Sequence, residues 1–235
     1  MQLFFDKHIN ENDEQFTFDK IESKHIIRVL RKKEDDVLYI TNGKGFLFKS
    51  KISIANDKRC TVEINKVEKK ENQLKYNLHI AIAPTKSTQR LEWFLEKATE
   101  IGITTITPLI CDNSERKIVK KDRLEKVLIS AMKQSNRLYL PTLNDAIPYN
   151  IFMKNEFVGL KFIAHCEETD KQSLKNKLKK EKNVTILIGP EGDFSLNEIS
   201  LALSNNFSPV SLGKSRLRTE TAGIVAAHSV AFINE

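Results

Sequence analysis

Two short stretches near the C-terminus hold the residue types best suited to chemistry. One reads Ile188-Gly189-Pro190-Glu191-Gly192-Asp193; the other reads Leu212-Gly213 and continues to Leu217-Arg218-Thr219-Glu220-Thr221. In each, an apolar run meets a glycine turn. Glycine admits positive φ and lets a ligand approach the backbone closely. Glu191 disfavours bound phosphate at such a turn, which points to a cationic ligand instead. Arg218 is permanently charged and fork-shaped, suited to a phosphate or a developing oxyanion. Glu220 could accept a proton or orient that guanidinium. Each stretch also has a plainer meaning: a structural tight turn, and an Arg–Glu pair at a helix start, worth little. Neither GxGxxG nor GxxxxGK[ST] occurs, so dinucleotide and P-loop readings lack support.

The elements that must position these residues fall into two rhythms. Up to about residue 70 the chain alternates as strands do. Phe46, Phe48, Ser50, Ile52 and Ile54 fall on one face, with Leu47, Lys49, Lys51 and Ser53 on the other. A strand at 37–40 precedes them across Thr41-Asn42-Gly43-Lys44-Gly45, a turn suited to a hairpin. A further strand at 60–67 and a short helix at 24–31 complete a small, mostly β half. Residues 69–73 are polar and read as a linker. Strands at 78–83, 104–110, 161–165, 184–188 and 209–212 then alternate with helices, including 88–101 and 122–138. That order implies a mostly parallel sheet covered on both faces. Ligands of such sheets sit beyond the carboxyl ends of the strands, where the glycine turns fall. Asp122 with Glu125, and Ser195 with Glu198, have capping-box spacing. On helix 88–101, Arg90, Trp93, Lys97 and Glu100 share one face beside an apolar stripe.

Composition bounds the classes. The chain has 235 residues, 40% hydrophobic and 29% charged, with a formal net charge of +7. No apolar run approaches the roughly 18 residues of a membrane span. The N-terminus lacks the layout of a secretory signal, so a cytoplasmic location is expected. Three widely spaced cysteines without a CxxC pair, and five histidines without ligand spacing, argue against a structural metal. Residues 114–137 carry eight basic and three acidic side chains, either an RNA-facing surface or a solvated helix face.

The paired glycine turns resemble the cofactor loops of the SPOUT class of RNA methyltransferases. More specifically, the chain is similar to the RsmE family, which methylates N3 of a uridine in small-subunit (16S) ribosomal RNA. Lys86-Ser87-Thr88-Gln89-Arg90-Leu91-Glu92-Trp93, leading into Lys97-Ala98-Thr99-Glu100-Ile101-Gly102, is similar to that family's first helix. Ser114-Glu115-Arg116 and Gln134-Ser135-Asn136-Arg137 follow at suitable places, and the likeness runs nearly end to end.

The resemblance implies a PUA-like RNA-binding β-barrel over 1–70. An α/β SPOUT domain over 74–235 would follow, with a mostly parallel sheet and a C-terminal trefoil knot, a rare exception to the unknotted rule. It implies S-adenosylmethionine (SAM) as cofactor, held by His165, Ile188, Gly189, Glu191, Gly192, Leu212, Gly213, Leu217 and Thr221. Arg218 and Glu220 would be catalytic, and Lys86, Arg90, Arg116 and Arg137 would contact RNA. The implied partner is 16S ribosomal RNA within the small ribosomal subunit, the implied assembly a homodimer, with no metal and no membrane. Asp193 and Asn136 stand where the family usually has glycine, Ser130 where an acidic residue is common, and the third loop, 164–168, matches loosely. Ribose 2′-O-methylation, a non-catalytic assembly factor and a nucleotide-dependent enzyme are the competing readings.

Overall fold

A computed structural model describes residues 1–72, 74–167 and 171–235. Gln73 of the expected linker and Glu168 of the third loop lie outside them. The chain forms two compact units, Met1–Gln73 with Met132–Leu140, and Leu74–Ala131 with Pro141–Glu235.

The first unit contains β1 (Leu3–Phe5), β2 (Gln15–Thr17), α1 (Lys20–Lys24), β3 (Val37–Thr41), β4 (Phe46–Ile54) and β5 (Thr61–Lys69). Its sheet has the order β1-β3-β4-β5-β2. The two edge strands meet through their aromatics, since Phe4 of β1 lies 6.2 Å from Phe18, just past β2. The sheet therefore curls around a core that includes Phe4, Phe18, Ile26, Ile40, Phe48 and Val62. The alternation in β4 holds through Phe48, Ser50 and Ile52, all buried, but Ile54 is exposed. A register shift between Ile52 and Ile54 turns the strand end away from the core.

The first helix starts earlier than expected. Asp19 caps it, accepting from the Glu22 amide at 2.7 Å, and a π-helical turn over His25–Val29 follows. An acidic cap followed three residues later by Glu22 was the available signal. The segment Met132–Leu140 enters this unit through the hairpin turn. The Gly45 amide donates to Leu138 O, and the Tyr139 hydroxyl to Lys70 O. Tyr139 lies against Gly45 so closely that a Cβ there would overlap its ring, at a φ of +92°.

The second unit runs β6 (Leu78–Ile82), α2 (Thr88–Ile101), β7 (Thr105–Ile110), α3 (Lys121–Gln134, its last turn counted with the first unit), β8 (Thr142–Leu143), β9 (Ile147–Pro148), α4 (Tyr149–Phe152), β10 (Leu160–Ala164), β11 (Gln172–Ser173), α5 (Leu174–Lys177), β12 (Val184–Ile188), α6 (Leu196–Ser204), β13 (Ser208–Ser211) and α7 (Thr219–Asn234). The sheet order is β11-β13-β10-β12-β6-β7-β8, with β9 on β7, and every pairing is parallel. β12 is central and buried throughout, which accounts for its largely apolar sequence around Thr185.

α3 ends at Gln134, short of the expected 138. Asn136 takes φ +53° and the Arg137 amide donates back to Met132 O at 3.0 Å, a Schellman-type stop. Asp122 lies inside the first turn of α3 rather than at its cap. The Ser195–Glu198 capping box is formed as expected.

α7 packs on α2 at Gly223, where a Cβ would meet Phe94 Cε2 at 2.6 Å; this close approach sets the position of the α7 N-terminus. No described helix is long and apolar enough to cross a membrane.

His79 on β6 carries a pH dependence. Its Nε2 lies 2.7 Å from Thr107 Oγ1 and its ring meets Phe152 edge-on. Burial pushes the imidazole from 6.5 down to about 4. The folded value is depressed, so the fold favours the neutral ring. Its contribution is complete above pH 6.5 and is lost as pH falls toward 4, by about 3 kcal/mol. The melting temperature is expected to drop across that window and to drop less steeply in His79→Gln. Equal slopes by calorimetry would place the titration elsewhere.

Candidate active site

Because its strands run parallel, the second unit gathers their carboxyl ends along one edge. The register sets Ala164 of β10 beside Ile188 of β12 and Val210 of β13, and Ile188 beside Ile82 of β6. The loops that follow, beginning at Ala83, His165, Gly189 and Leu212, are therefore neighbours.

Two adjoining cavities open among them, of about 430 and 310 Å³. The larger is walled by the His165–Cys166 loop, Lys171 and the 210–217 segment. The smaller is walled by Ile188–Glu191, Asp193 and the 216–219 segment. Ala164, Cys166, Arg216, Leu217 and Ala222 border both. Of the nine residues predicted to hold a cofactor, seven line a cavity: His165, Ile188, Gly189, Glu191, Leu212, Gly213 and Leu217. Gly192 and Thr221 line neither. Gly192 backs onto Asn113, where a Cβ would meet that side chain at 3.3 Å. Gly213, at φ +147°, has nothing within 4 Å of a built Cβ, so its backbone stands open.

The walls are tied to one another by polar contacts. Glu191 Oε1 accepts from the Lys86 amide at 3.0 Å, holding the β6–α2 loop against the glycine turn. Arg116 holds that loop from behind, donating to the carbonyls of Thr85 and Lys86. Thr219 Oγ1 donates to Gly189 O at 3.0 Å, fixing the start of α7. Asn113 Nδ2 donates to the carbonyls of Gly192 and Asp193.

His165 is 7% exposed, and neither ring nitrogen has a hydrogen-bond partner among the described residues. Burial first, and the Lys171 charge second, hold its imidazole below the usual range. It is a buried ring beside the larger cavity, unpaired among the described residues. Unpaired buried polar atoms are costly unless a ligand or solvent satisfies them.

Arg218 and Glu220 differ in setting. Arg218 is the N-cap residue of α7, exposed, on the smaller cavity, and has no side-chain hydrogen bond or ion pair among the described residues. Glu220 lies in the first turn of α7, where the helix dipole favours a carboxylate. It is 6% exposed and lines neither cavity; Oε1 lies 3.7 Å from Arg90 Nε, and buried Oε2 has no hydrogen-bond partner among the described residues. Of the residues predicted to contact RNA, Lys86 is exposed and pairs with Glu115. Arg90 faces Glu220, Arg116 is committed to the loop carbonyls, and Arg137 belongs to the first unit. No group of three or more His, Cys, Asp or Glu could hold a metal among the described residues.

The RNA methyltransferase domain family matches residues 70–231, and the RNA methyltransferase PUA domain family matches residues 18–65. The ribosomal RNA small subunit methyltransferase E of Buchnera aphidicola is 34% identical over 90% of this chain and 86% of its own. That of Rickettsia conorii is 33% identical over 88% and 84%. The chain belongs to the ribosomal RNA small subunit methyltransferase E family. Among solved structures, an rRNA-methyltransferase from Porphyromonas gingivalis superposes with a TM-score of 0.92, 38% identity and coverage of 100% and 98%. A methyltransferase from Legionella pneumophila, solved with bound SAM, gives 0.89, 27%, 99% and 98%.

Within this methyltransferase E chain, the two positions at which the sequence leads us to expect glycine have left-handed φ: Asn136 at +53° and Asp193 at +64°. Asn and Asp are the side chains that tolerate that region best. Sequence patterns missed Thr219, Asn113 and Lys171. Lys171 Nζ donates to His165 O and Glu167 O. Thr219 lies inside the second stretch, but its tie to Gly189 O, like that of Asn113 to Gly192 O and Asp193 O, depends on sheet order, whereas Lys171 belongs to no motif and acts locally on its own loop.

Proposed function

We propose that this methyltransferase E family member transfers a methyl group from SAM to N3 of a uridine in 16S ribosomal RNA, within the small subunit and hence in the cytoplasm. The observation that carries this is the pair of cavities at the carboxyl edge of the parallel sheet, with an unpartnered arginine and a buried carboxylate at the α7 mouth. The residues fit SAM. Apolar walls from Ile188, Val210, Leu212 and Leu217 suit an adenine, His165 borders the larger cavity, and the volumes are those of small-molecule sites. His165, Ile188, Gly189, Glu191, Leu212, Gly213 and Leu217 would hold it, with Gly192 and Thr221 supporting from behind the walls.

When bound, SAM supplies an electrophilic methyl on a sulfonium. The chain's own residues handle the base. Uridine N3 carries a proton at neutral pH, and Glu220, whose buried Oε2 is unpaired among the described residues, is the candidate to accept it. Arg218 donates toward the carbonyl oxygen on which charge develops, in a site where such donors act strongly. Arg90 provides Glu220 with a counter-charge. Lys86 and the first unit grip phosphates, so binding is expected to weaken with salt. The ties from Arg216 to Glu191 O and from Thr219 to Gly189 O pin the 212–219 segment against the glycine turn. Phe232 of α7, 68% exposed, is an apolar group that a second copy would cover in a homodimer.

The test is transfer of labelled methyl from SAM to unmodified small subunits, followed by nucleoside analysis. N3-methyluridine is expected. A ribose-methylated nucleoside would change the chemistry, and RNA binding without transfer would leave an assembly factor.

The cysteines give a second check. Cys60 and Cys111 are buried; burial pushes Cys60 up to about 11 and Cys111 higher still. Cys166 is exposed and borders both cavities. A neutral-pH alkylating reagent is expected to label Cys166 alone in the native protein. Saturating SAM should slow that labelling about tenfold if a bound ligand leaves the thiol open about a tenth of the time. Unchanged labelling under SAM would move the cofactor out of these cavities.

A further inference from the structure

We propose that Asp193 is a positioning residue that latches the third cofactor loop to the first and so preorganises the pocket for SAM; this rests on the SAM reading above. Its carboxylate spans two loops: Oδ2 accepts from the Cys166 amide at 2.7 Å, and Oδ1 accepts from the Phe194 amide at 2.8 Å. The second contact is local and shapes the turn. The first reaches 27 positions back along the chain, to the residue after His165.

The backbone is set for this task. Asp193 has φ +64°, its amide donates to Pro190 O, and its carbonyl accepts from Asn113 Nδ2. Asn113 belongs to the loop after β7, so the glycine turn is clamped on its far side before it reaches toward Cys166. A charge-assisted hydrogen bond from a backbone amide to a clamped carboxylate is short and strong. Lys171 holds the same loop from its other end through His165 O and Glu167 O. Between the two ties sits the buried His165 ring, its nitrogens unpaired among the described residues.

A glycine at 193 would take the same φ without strain and would carry no latch. Aspartate at this position thus adds a contact as well as tolerating the turn. Fixing a loop before the ligand arrives improves affinity by lowering the ordering cost of binding, and leaves the reacting atoms untouched.

Asp193→Gly separates the latch from the fold, because glycine keeps the turn. Hydrogen exchange at the Cys166 amide, measured without SAM, is expected to accelerate at least tenfold once its acceptor is gone. The dissociation constant for SAM, by calorimetry, should rise about tenfold, the order of one charged hydrogen bond. KM for SAM should rise equally, with kcat at saturating SAM within about twofold. Asp193→Asn, which keeps one acceptor oxygen, should recover part of the affinity. Unchanged exchange and unchanged affinity overturn the latch, as does a parallel loss of kcat and melting temperature, which marks a purely structural role. If the wild-type protein takes up no SAM, the cofactor reading falls, and the latch stands or falls on the exchange rate alone.

Discussion

Arg218→Ala is expected to lower methyl transfer to small subunits by about 10²- to 10³-fold while changing SAM affinity by less than about threefold, the usual loss when one donor to a developing oxyanion is removed. The separation follows from where the side chain stands. Arg218 caps α7 from an exposed position on the smaller cavity and has no side-chain partner among the described residues, so its removal breaks no internal contact. The neighbouring cofactor walls are held by other groups, Thr219 on Gly189 O and Glu191 on the Lys86 amide. A donor that acts on developing charge lowers the barrier without strengthening ground-state binding, so the loss belongs in kcat. Arg218→Lys should recover only part of the rate, since an ammonium keeps the charge and loses the planar fork. Single-turnover kinetics beside calorimetric SAM binding decide the matter. Equal loss of rate and SAM affinity would make Arg218 a cofactor ligand, and an unchanged rate would remove it from the chemistry.

Much of this site was legible in the sequence because its parts are local. A glycine turn after a buried strand and a cap before an apolar helix are short-range patterns, and seven of nine expected cofactor residues line the cavities. Strands of two or three residues, such as β1, β2 and β11, are too short to show a period. The reach of Asp193 to Cys166 and of Arg116 to the 85–86 carbonyls depends on sheet order, which spacing does not encode. Arg116 and Arg90 read as surface cations in an electropositive chain, yet the fold turns one onto its own backbone and the other toward Glu220. A basic residue beside a functional loop is ambiguous in one dimension. It can face the substrate or hold the loop that does, and only the carbonyls around it distinguish the two.

Glu220→Gln is expected to reduce turnover by about 10²- to 10³-fold and, more tellingly, to change its pH dependence. Glutamine fills the same volume in the first turn of α7 but cannot accept a proton. With the base gone, only uridine already ionised at N3 can react, so the rate should climb about tenfold per pH unit between pH 7 and pH 9. The wild-type rate should be flatter there. Glu220 lines neither cavity, so as a base it must be reached from the α7 mouth; its Oε2 is buried and unpaired among the described residues, and its ion pair is with Arg90 at 3.7 Å rather than with Arg218. Arg90→Ala should therefore reproduce part of the loss, and the double variant should lose less than the two single effects combined, as coupled neighbours do. If Glu220→Gln loses rate yet keeps the wild-type pH profile, Glu220 orients and does not abstract. In that case the proton leaves to solvent, and Arg218 alone carries the electrostatic work at the α7 mouth.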